Sequence, residues 1–274
     1  MISILILTLN EEGNLADCLN SVRWCDDIVV FDSFSSDQTV DIAQSFGVRV
    51  IQRKFDNWSC HQNWALRNIC FQHPWVFYLD ADERMTDELK SELLKIANDC
   101  AENRVAFYVG RKNYFMGKWI KHSYPPSMIM RFFLPSQVRF ERQVNPTPVI
   151  SGSHGYLKHY FEHYNFSKGM TEWFDKHNKY SCWEAEESLK VLRESSLGKE
   201  LLFLFSMDKA CRRQSLKKLS VRMPFRFFLK FIYLYVAKGG FIDGKPGLIY
   251  CILQSMYEYM IVLKTEELLR ADKR

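Results

Sequence analysis

No two of the eight cysteines (Cys18, Cys25, Cys60, Cys70, Cys100, Cys182, Cys211 and Cys251) stand at CxxC spacing, and they form no regular framework. Neither a zinc ribbon nor a disulfide scaffold is indicated, and reduced thiols in a cytoplasmic protein are expected. Neither GxGxxG nor GxxxxGK(S/T) occurs, which argues against a Rossmann dehydrogenase and a P-loop NTPase. No zinc-finger spacing or RNA-binding aromatic signature accompanies the basic residues, so nucleic acid is not an expected partner. The opening MISILILTLNEEGN lacks a basic leader and turns acidic after nine residues. It reads as a first β-strand, not as a signal peptide or a spanning helix. There is no internal repeat and no low-complexity segment.

What is present fits a globular protein. Of 274 residues, 47% are hydrophobic and 25% charged. The net charge of +5 hides an asymmetry: residues 1–100 carry 8 Lys/Arg against 16 Asp/Glu, and residues 101–274 carry 29 against 16. Such a split suggests an acidic, metal-using half and a basic half that faces something anionic, a nucleotide or a membrane surface.

The first hundred residues alternate between two periods. ISILILTL is a near-continuous apolar run, as expected of a strand covered on both faces. EEGNLADCLNSV then places Leu15, Cys18, Leu19 and Val22 at helical spacing. DIVVFD, VRVIQR and WVFYL read as further strands; DQTVDIAQSFG, NWSCHQNWALRNICF and TDELKSELLKIAND read as helices. Alternation through short loops predicts a parallel, doubly wound sheet, in which ligands bind off the carboxyl ends of the strands. Beyond Val105 the strands VAFYVGRKNYFMGKWI and MIMRFFLPSQVRF look antiparallel, and TEWFDKHNKYSCWEAEESLKVLRE returns to helix.

Three polar clusters fall at the expected strand ends: Thr8, Asn10 and Glu11 after the first, Asp32 after the second, Asp80 and Asp82 after the fourth. The last is the sharpest, because the apolar WVFYL runs directly into three carboxylates in four residues, Asp80, Asp82 and Glu83. Two readings stand: an acidic turn leading into the next helix, or a metal site at the end of a parallel strand. Asp37 sits where an N-cap belongs before QTVDIA and reads as structural.

TLNEEGNL, DIVVFDSFSSDQTVDIAQSFGVRVI, FDNWSCHQNWAL and VFYLDADERMTDEL together resemble the family 2 glycosyltransferases with the GT-A fold. The likeness is to the bacterial branch that builds lipopolysaccharide cores and exopolysaccharides. LKHYFEHYNFSKGMTEWFDKHNKYSCWEA and GGFIDGKPGLIYCILQSMYEYMIVLK resemble that branch's tail, so nearly the whole chain is covered. The resemblance implies an α/β GT-A core, a Rossmann-like, doubly wound and mostly parallel sheet. A mixed acceptor-side region and a C-terminal helical, membrane-associating extension would follow it. The expected segments are 1–110 for the donor half, 111–195 for the acceptor side and 196–274 for the basic, aromatic extension.

The implied reaction is inverting and metal-dependent. It moves a sugar from a UDP-linked donor to a lipid-linked or cell-envelope glycan acceptor, at the cytoplasmic face of an inner membrane. Breaking a bond to a diphosphate requires its charge to be neutralised, and Mg²⁺ or Mn²⁺ held by carboxylates does this. By the resemblance, Asp82 would ligate the metal, and Asp80 would hold the ribose or a water on the cation. Asp32 would accept from an imino group of the base, and Thr8, Asn10 and Glu11 would line the same pocket. A second reading has Asn10 and Glu11 only opening the following helix.

Two departures from the branch stand out. His61-Gln62 occupy the place where Gln-Arg or Gln-Lys is common, so a basic donor-binding residue is missing. Val144-Asn145-Pro146 stand where relatives have Val-His-Glu, so the usual base is absent. An inverting transferase needs a base for the acceptor hydroxyl. Glu141, the nearest carboxylate, is placed there, with an ion pair to Arg139 or Arg142 as the competing reading. His177 reads as a packed helical residue.

Two further readings compete. A nucleotidyltransferase also uses paired aspartates, but it wants a Gly-rich, basic loop where TLNEEGN is acidic. A non-catalytic, membrane-associated module would fit the missing motif but not the intact DxD. In the tail, PFRFFLKFIYLYVA and LIYCILQSMYEYMIVL each fall short of the roughly 20 apolar residues of a spanning helix. They suit helices lying in an anionic interface or, alternatively, capping a core.

Overall fold

Strand β1 (Ser3–Thr8) is apolar at nearly every position because both of its faces are covered. Ile4 and Ile6 point to one side of the sheet with Val30, Phe77 and Leu79, against Leu15, Leu19 and Val22 of helix α1 (Leu15–Val22). Leu5 points to the other side with Val29, Phe31 and Val76, against Ala65 of helix α3 (Trp58–Asn68). The period of two along a strand thus sorts its residues into two cores.

The computed structural model describes residues 1–142, 146–194, 198, 201, 203, 206, 208–223 and 225–272. Val144 and Asn145, two of the three residues of the expected departure at the acceptor side, lie outside the described residues.

Beside β1 run β2 (Ile28–Asp32), β3 (Arg49–Gln52) and β4 (Val76–Asp80), all parallel, in the order β3-β2-β1-β4. Helix α2 (Thr39–Ser45) joins β2 to β3. The short strand β5 (Glu83–Arg84) and helix α4 (Asp87–Ala97) follow β4. Beyond β4 the sheet continues with β8 (Ser127–Phe133), β6 (Arg104–Phe115) and β11 (Ser153–His163). Only β8 is reversed within this part, being antiparallel to both β4 and β6, while β11 is parallel to β6. The sheet is therefore mixed but mostly parallel, as the alternation of periods predicts. A two-residue strand β7 (Lys118–Trp119) pairs with β6, and β9 (Val138–Glu141) and β10 (Thr147–Ile150) form a separate antiparallel pair.

The helices start where their capping chemistry says they should. Asn57 accepts from the Cys60 N–H ahead of α3, and Thr86 from the Leu89 N–H ahead of α4. Asp37 accepts from the Thr39 N–H at 3.0 Å and from the Glu12 N–H at 3.1 Å. It supplies the cap expected of it, although by its dihedrals the boundary residue is Gln38.

The chain divides into two compact units, not the three expected segments. Unit one holds residues 1–119 and 125–167; unit two holds 120–124 and 168–274. A boundary at 110 would cut β6, which runs unbroken to Phe115. A boundary at 195 would part helix α5 (Gly169–Glu194) from the helix against which it packs, α8 (Gly244–Ala271). Lys264 on α8 donates to the Asn178 carbonyl at 2.7 Å and to Ser181 Oγ at 2.8 Å on α5. His177 stacks on Trp173 at 3.8 Å and donates to its carbonyl, which agrees with its reading as a packed residue.

Unit two also contains α6 (Lys209–Val221) and α7 (Arg226–Ile232), the latter continued by a π-helical turn, Tyr233–Ala237. A 3-10 turn, Gly240–Asp243, leads into α8. Here the tail departs from expectation. The second apolar run continues into a 28-residue helix, and Gly240–Ala271 is long and apolar enough to cross a membrane by length and composition alone. Buried core helices of other proteins pass the same test.

Candidate active site

Parallel register places three polar strand ends side by side. Thr8 is level with Asp32, and Leu7 with Asp80. With strands about 4.8 Å apart, Asp32 and Asp80 flank β1 at a distance of about 10 Å. The chain turns from β1 toward β2 and β3 on one side, then returns to add β4 on the other. The carboxyl edge between β1 and β4 is thus the topological switch point of the sheet, where such folds bind ligands.

Asp32 is fully buried. Its Oδ1 accepts from Thr8 Oγ1 (2.9 Å) and Ser35 Oγ (2.5 Å); its Oδ2 accepts from the Ser35 N–H (2.9 Å) and Gln52 Nε2 (3.0 Å). Burial alone would raise this carboxyl, but the bonds from Gln52, Ser35 and Thr8 outweigh it and hold the group below the usual carboxylate range. Asn10 and Glu11 tie the first loop to the second. Asn10 Oδ1 accepts from the Ser36 N–H (2.8 Å), its N–H donates to Ser35 Oγ (2.8 Å), and the Glu11 N–H donates to Thr39 Oγ1 (2.7 Å). Asn10 and Glu11 thus build the strand-end cluster, and Glu11 Oε2 also accepts from Asn14 just ahead of α1.

At the end of β4 the three carboxylates go three ways. Glu83 turns inward and is fully buried, its Oε2 accepting the Asp80 N–H at 3.0 Å. Asp80 and Asp82 remain partly exposed. Arg131, from the reversed strand β8, lies between Asp80 (2.6 Å) and Glu83 (2.7 Å), with its guanidinium 4.2 Å from the centre of the Tyr78 ring. Burial works against the Arg131 charge, and Asp80 and Glu83 outweigh it. Burial pushes the Glu83 carboxyl up, against the pull of Arg131. A further chain runs from Gln62 Nε2 to the Tyr78 hydroxyl (3.2 Å) and from that hydroxyl to Asp80 Oδ1 (3.0 Å). Asp82 Oδ2 lies 3.4 Å from Nε2 of the buried His163, whose Nδ1 donates to Asn113 Oδ1.

The acidic turn is thus not a solvated surface turn: Asp80 is aimed by a buried network. Arg131, Glu83, Tyr78 and His163 escape sequence reading, although one signal was present. A single arginine inside the apolar run MIMRFF must either reach solvent or meet a buried acid, and three candidate acids end the neighbouring strand.

His61 is buried, stacked on Phe31 at 4.2 Å. Because Arg53 Nη1 can only donate to its Nδ1 (3.0 Å), the ring proton lies on Nε2, facing Ser33 Oγ at 3.3 Å. Burial, with Arg53 adding, lowers this imidazole to about 4. It is a neutral packing residue, and the cation beside it is Arg53. Glu141 is exposed at the end of β9 and paired with Arg139 at 2.9 Å, the competing partner foreseen for it.

Among the described residues no group of three or more His, Cys, Asp or Glu is arranged to hold a metal ion. Magnesium-type sites that also bind phosphate commonly use one or two carboxylates, and the substrate supplies the rest. Asp80 and Asp82 are a hard-oxygen donor set of that kind and fit such a cation.

A doubly wound sheet with paired aspartates at its switch point is compatible with a transferase that takes a nucleotide-linked donor. The comparisons agree: the family model Glycosyl transferase family 2 matches residues 3–165, more than half of the chain, and the chain belongs to that family. It is 26% identical over 94% of its length to the lipopolysaccharide core biosynthesis glycosyltransferase LpsC of Rhizobium meliloti, and spans 92% of that protein. It is 34% identical over 39% of its length to an uncharacterized glycosyltransferase of Rickettsia typhi, of which it spans 36%. Among solved structures, the mannosyltransferase PcManGT from Pyrobaculum calidifontis, in complex with GDP-Man and Mn²⁺, aligns over 96% of this chain and 86% of its own. That alignment has a TM-score of 0.50 at 13% identity, a likeness of fold.

Proposed function

We propose that this glycosyltransferase moves one sugar, with inversion, from a UDP-linked donor to a lipid-linked or cell-envelope glycan acceptor of lipopolysaccharide or exopolysaccharide synthesis. It works at the cytoplasmic face of an inner membrane, as a peripheral protein. The observation that carries the chemistry is the aspartate pair at the switch point, with Asp80 held by Arg131 and Tyr78. The kinship with LpsC supports the acceptor class.

In this reading Asp82 would ligate a Mg²⁺ or Mn²⁺ and Asp80 would hold the ribose or a water on that cation, which would supply charge neutralisation as the nucleotide leaves. Arg131 holds Asp80 in place, so no reorganisation is needed when charge develops. Asp32 reads the base after Thr8 or Ser35 rotates its hydroxyl away, since all four of its lone-pair positions are otherwise used. Thr8, Asn10 and Glu11 shape the pocket wall. Phe34, left-handed at φ 62° and exposed between Asp32 and Ser35, offers a ring face for the base; a strained aromatic on a binding loop supports such a role. Glu141 takes the acceptor proton, its exposure leaving it open to a hydroxyl.

Release of nucleoside diphosphate, measured over a panel of UDP- and GDP-sugars, tests the reading. One donor should support turnover that a chelator abolishes and Mn²⁺ or Mg²⁺ restores. Asp82→Ala should remove activity by a factor on the order of 10³ without unfolding the protein. Full turnover in excess chelator would sink the metal assignment, and wild-type rates for Glu141→Gln would remove Glu141 as base.

A further inference from the structure

The outward face of α7 and its π-helical turn is apolar where a surface helix should be polar. Phe225, Phe228, Leu229, Ile232, Tyr233 and Val236 recur at helical spacing and are 39–69% exposed. The opposite face is already used. Arg226 is buried and paired with Glu258 of α8 at 2.9 Å, Phe227 meets Tyr259 at 4.6 Å, and Ser255 donates to the Phe227 carbonyl at 2.7 Å. The helix is therefore docked through its charged and aromatic inner side, and its exposed stripe is not covered by any of the described residues. A stripe this long and contiguous marks a surface that something else covers.

The charges around it say what. From Lys209 to Lys245 the sequence holds ten Lys/Arg and one acid, Asp243. That acid is buried and engaged by His122 and Ser123, so it offers no negative charge outward. Lys238, at the end of the stripe, lies 5.5 Å over the Tyr233 ring, and Lys245 is exposed beyond it. Aromatic and aliphatic side chains flanked by cations, with no compensating acid, complement an anionic phospholipid surface. A second copy of the same basic surface would repel itself.

We infer that the Phe225–Val236 face enters the headgroup region of an anionic membrane, with Lys238 and Lys245 at the phosphate level, and that α8 supports it without spanning. Charges on α8 support the non-spanning part: Glu258 and Lys264 are both paired to neighbouring helices. This inference rests on the membrane placement proposed above but not on the donor chemistry.

Co-sedimentation of the full chain with vesicles of phosphatidylglycerol and phosphatidylcholine, against phosphatidylcholine alone, tests it. Nucleoside diphosphate release is measured on the same samples without vesicles. The wild type should prefer anionic vesicles by at least about tenfold, less so at high salt, because each near-surface cation contributes about one decade or slightly less. The double variant F228E/I232E should lose that preference while its melting temperature and vesicle-free activity stay put. Lys238→Ala/Lys245→Ala should weaken binding but keep a residual apolar partition. Equal binding of F228E/I232E and wild type would overturn the assignment of the face. A wild-type dimer that F228E/I232E makes monomeric would replace lipid by a second copy. Protein that resists carbonate extraction would show α8 to span, and the peripheral docking would then be wrong. A loss of donor turnover with vesicle binding intact would touch only the proposed chemistry.

Discussion

Unit one hides charge and unit two displays hydrocarbon. In the first, Arg131, Glu83 and Asp32 lie at 0–4% exposure among apolar strands, each engaged by specific partners. In the second, Phe225 and Val236 stand at 69% and 59% exposure beside a run of basic residues. Both invert the ordinary arrangement, and each inversion is costly by itself: a buried charge loses solvation, and an exposed apolar stripe invites association. The first is offset inside the fold, by ion pairing between Arg131 and Glu83 and by hydrogen bonds at Asp32. The second has no such remedy among the described residues, and the membrane docking proposed above would supply one. That is the lesson of the contrast: a self-satisfied anomaly prepares a site, while an unsatisfied one points to a partner.

The largest test breaks the first half of the comparison. Arg131→Met should leave Glu83 and Asp80 without their cation and destabilise the fold by about 3–5 kcal/mol in urea titration. Adding Glu83→Gln should recover a large part of this, because the stranded charge is gone; no recovery would mean that Arg131 acts by packing alone.

Asp243 in unit two is a buried carboxylate of the same design, and Asp243→Ala asks whether the device is shared. Asp243 accepts from the His122 N–H and Nδ1 and from the Ser123 N–H (2.7 Å) and Oγ (2.7 Å). Orphaning these donors should cost about 3 kcal/mol, read as a lowered melting temperature. A shift no larger than that of a surface variant would confine the device to unit one.

The third test uses pH. His61 is lowered from 6.5 to about 4 by burial and by Arg53, so the folded state resists a proton that the unfolded chain takes up. Stability should therefore be complete above about pH 6.5 and fall as pH drops toward 4, by on the order of 2–3 kcal/mol. His61→Gln should flatten that window. A wild-type slope retained in His61→Gln would assign the loss to other groups.

The smallest effect sharpens the second half. Phe228→Ser should change folding stability by less than about 0.5 kcal/mol, as for an ordinary surface position. A loss near 2 kcal/mol would show that the stripe is core after all.

Much of the parallel half was legible because its signals are local. The apolar run of β1, the cap Asp37, and the polar strand ends Thr8, Asp32 and Asp80 each announce themselves within a few residues. Register then brings those ends together without further information, since β1, β2 and β4 start level. What escaped depends on pairing between distant segments. Arg131 meets Asp80 only because β8 inserts, reversed, between β4 and β6; the reversal is legible near MIMRFF, but the neighbours are not. His163 reaches Asp82 only because β11 pairs with the two-residue strand β5. The tail was misjudged for a similar reason: an apolar run was measured by its composition, while the helix it belongs to is set by what packs on α5.

Residues 120–124 belong to unit two although β7 and β8, which they connect, belong to unit one. Asp243 fastens that connection at His122 and Ser123, and Tyr250 of α8 stacks on Tyr124 at 5.2 Å. The tail is therefore not a detachable cassette. Truncating the chain after α5 would strip partners from a loop more than a hundred residues upstream, and grafting a foreign tail would need a matching loop. In a lineage that exchanged C-terminal segments, the loop and the tail would have to be inherited as one piece.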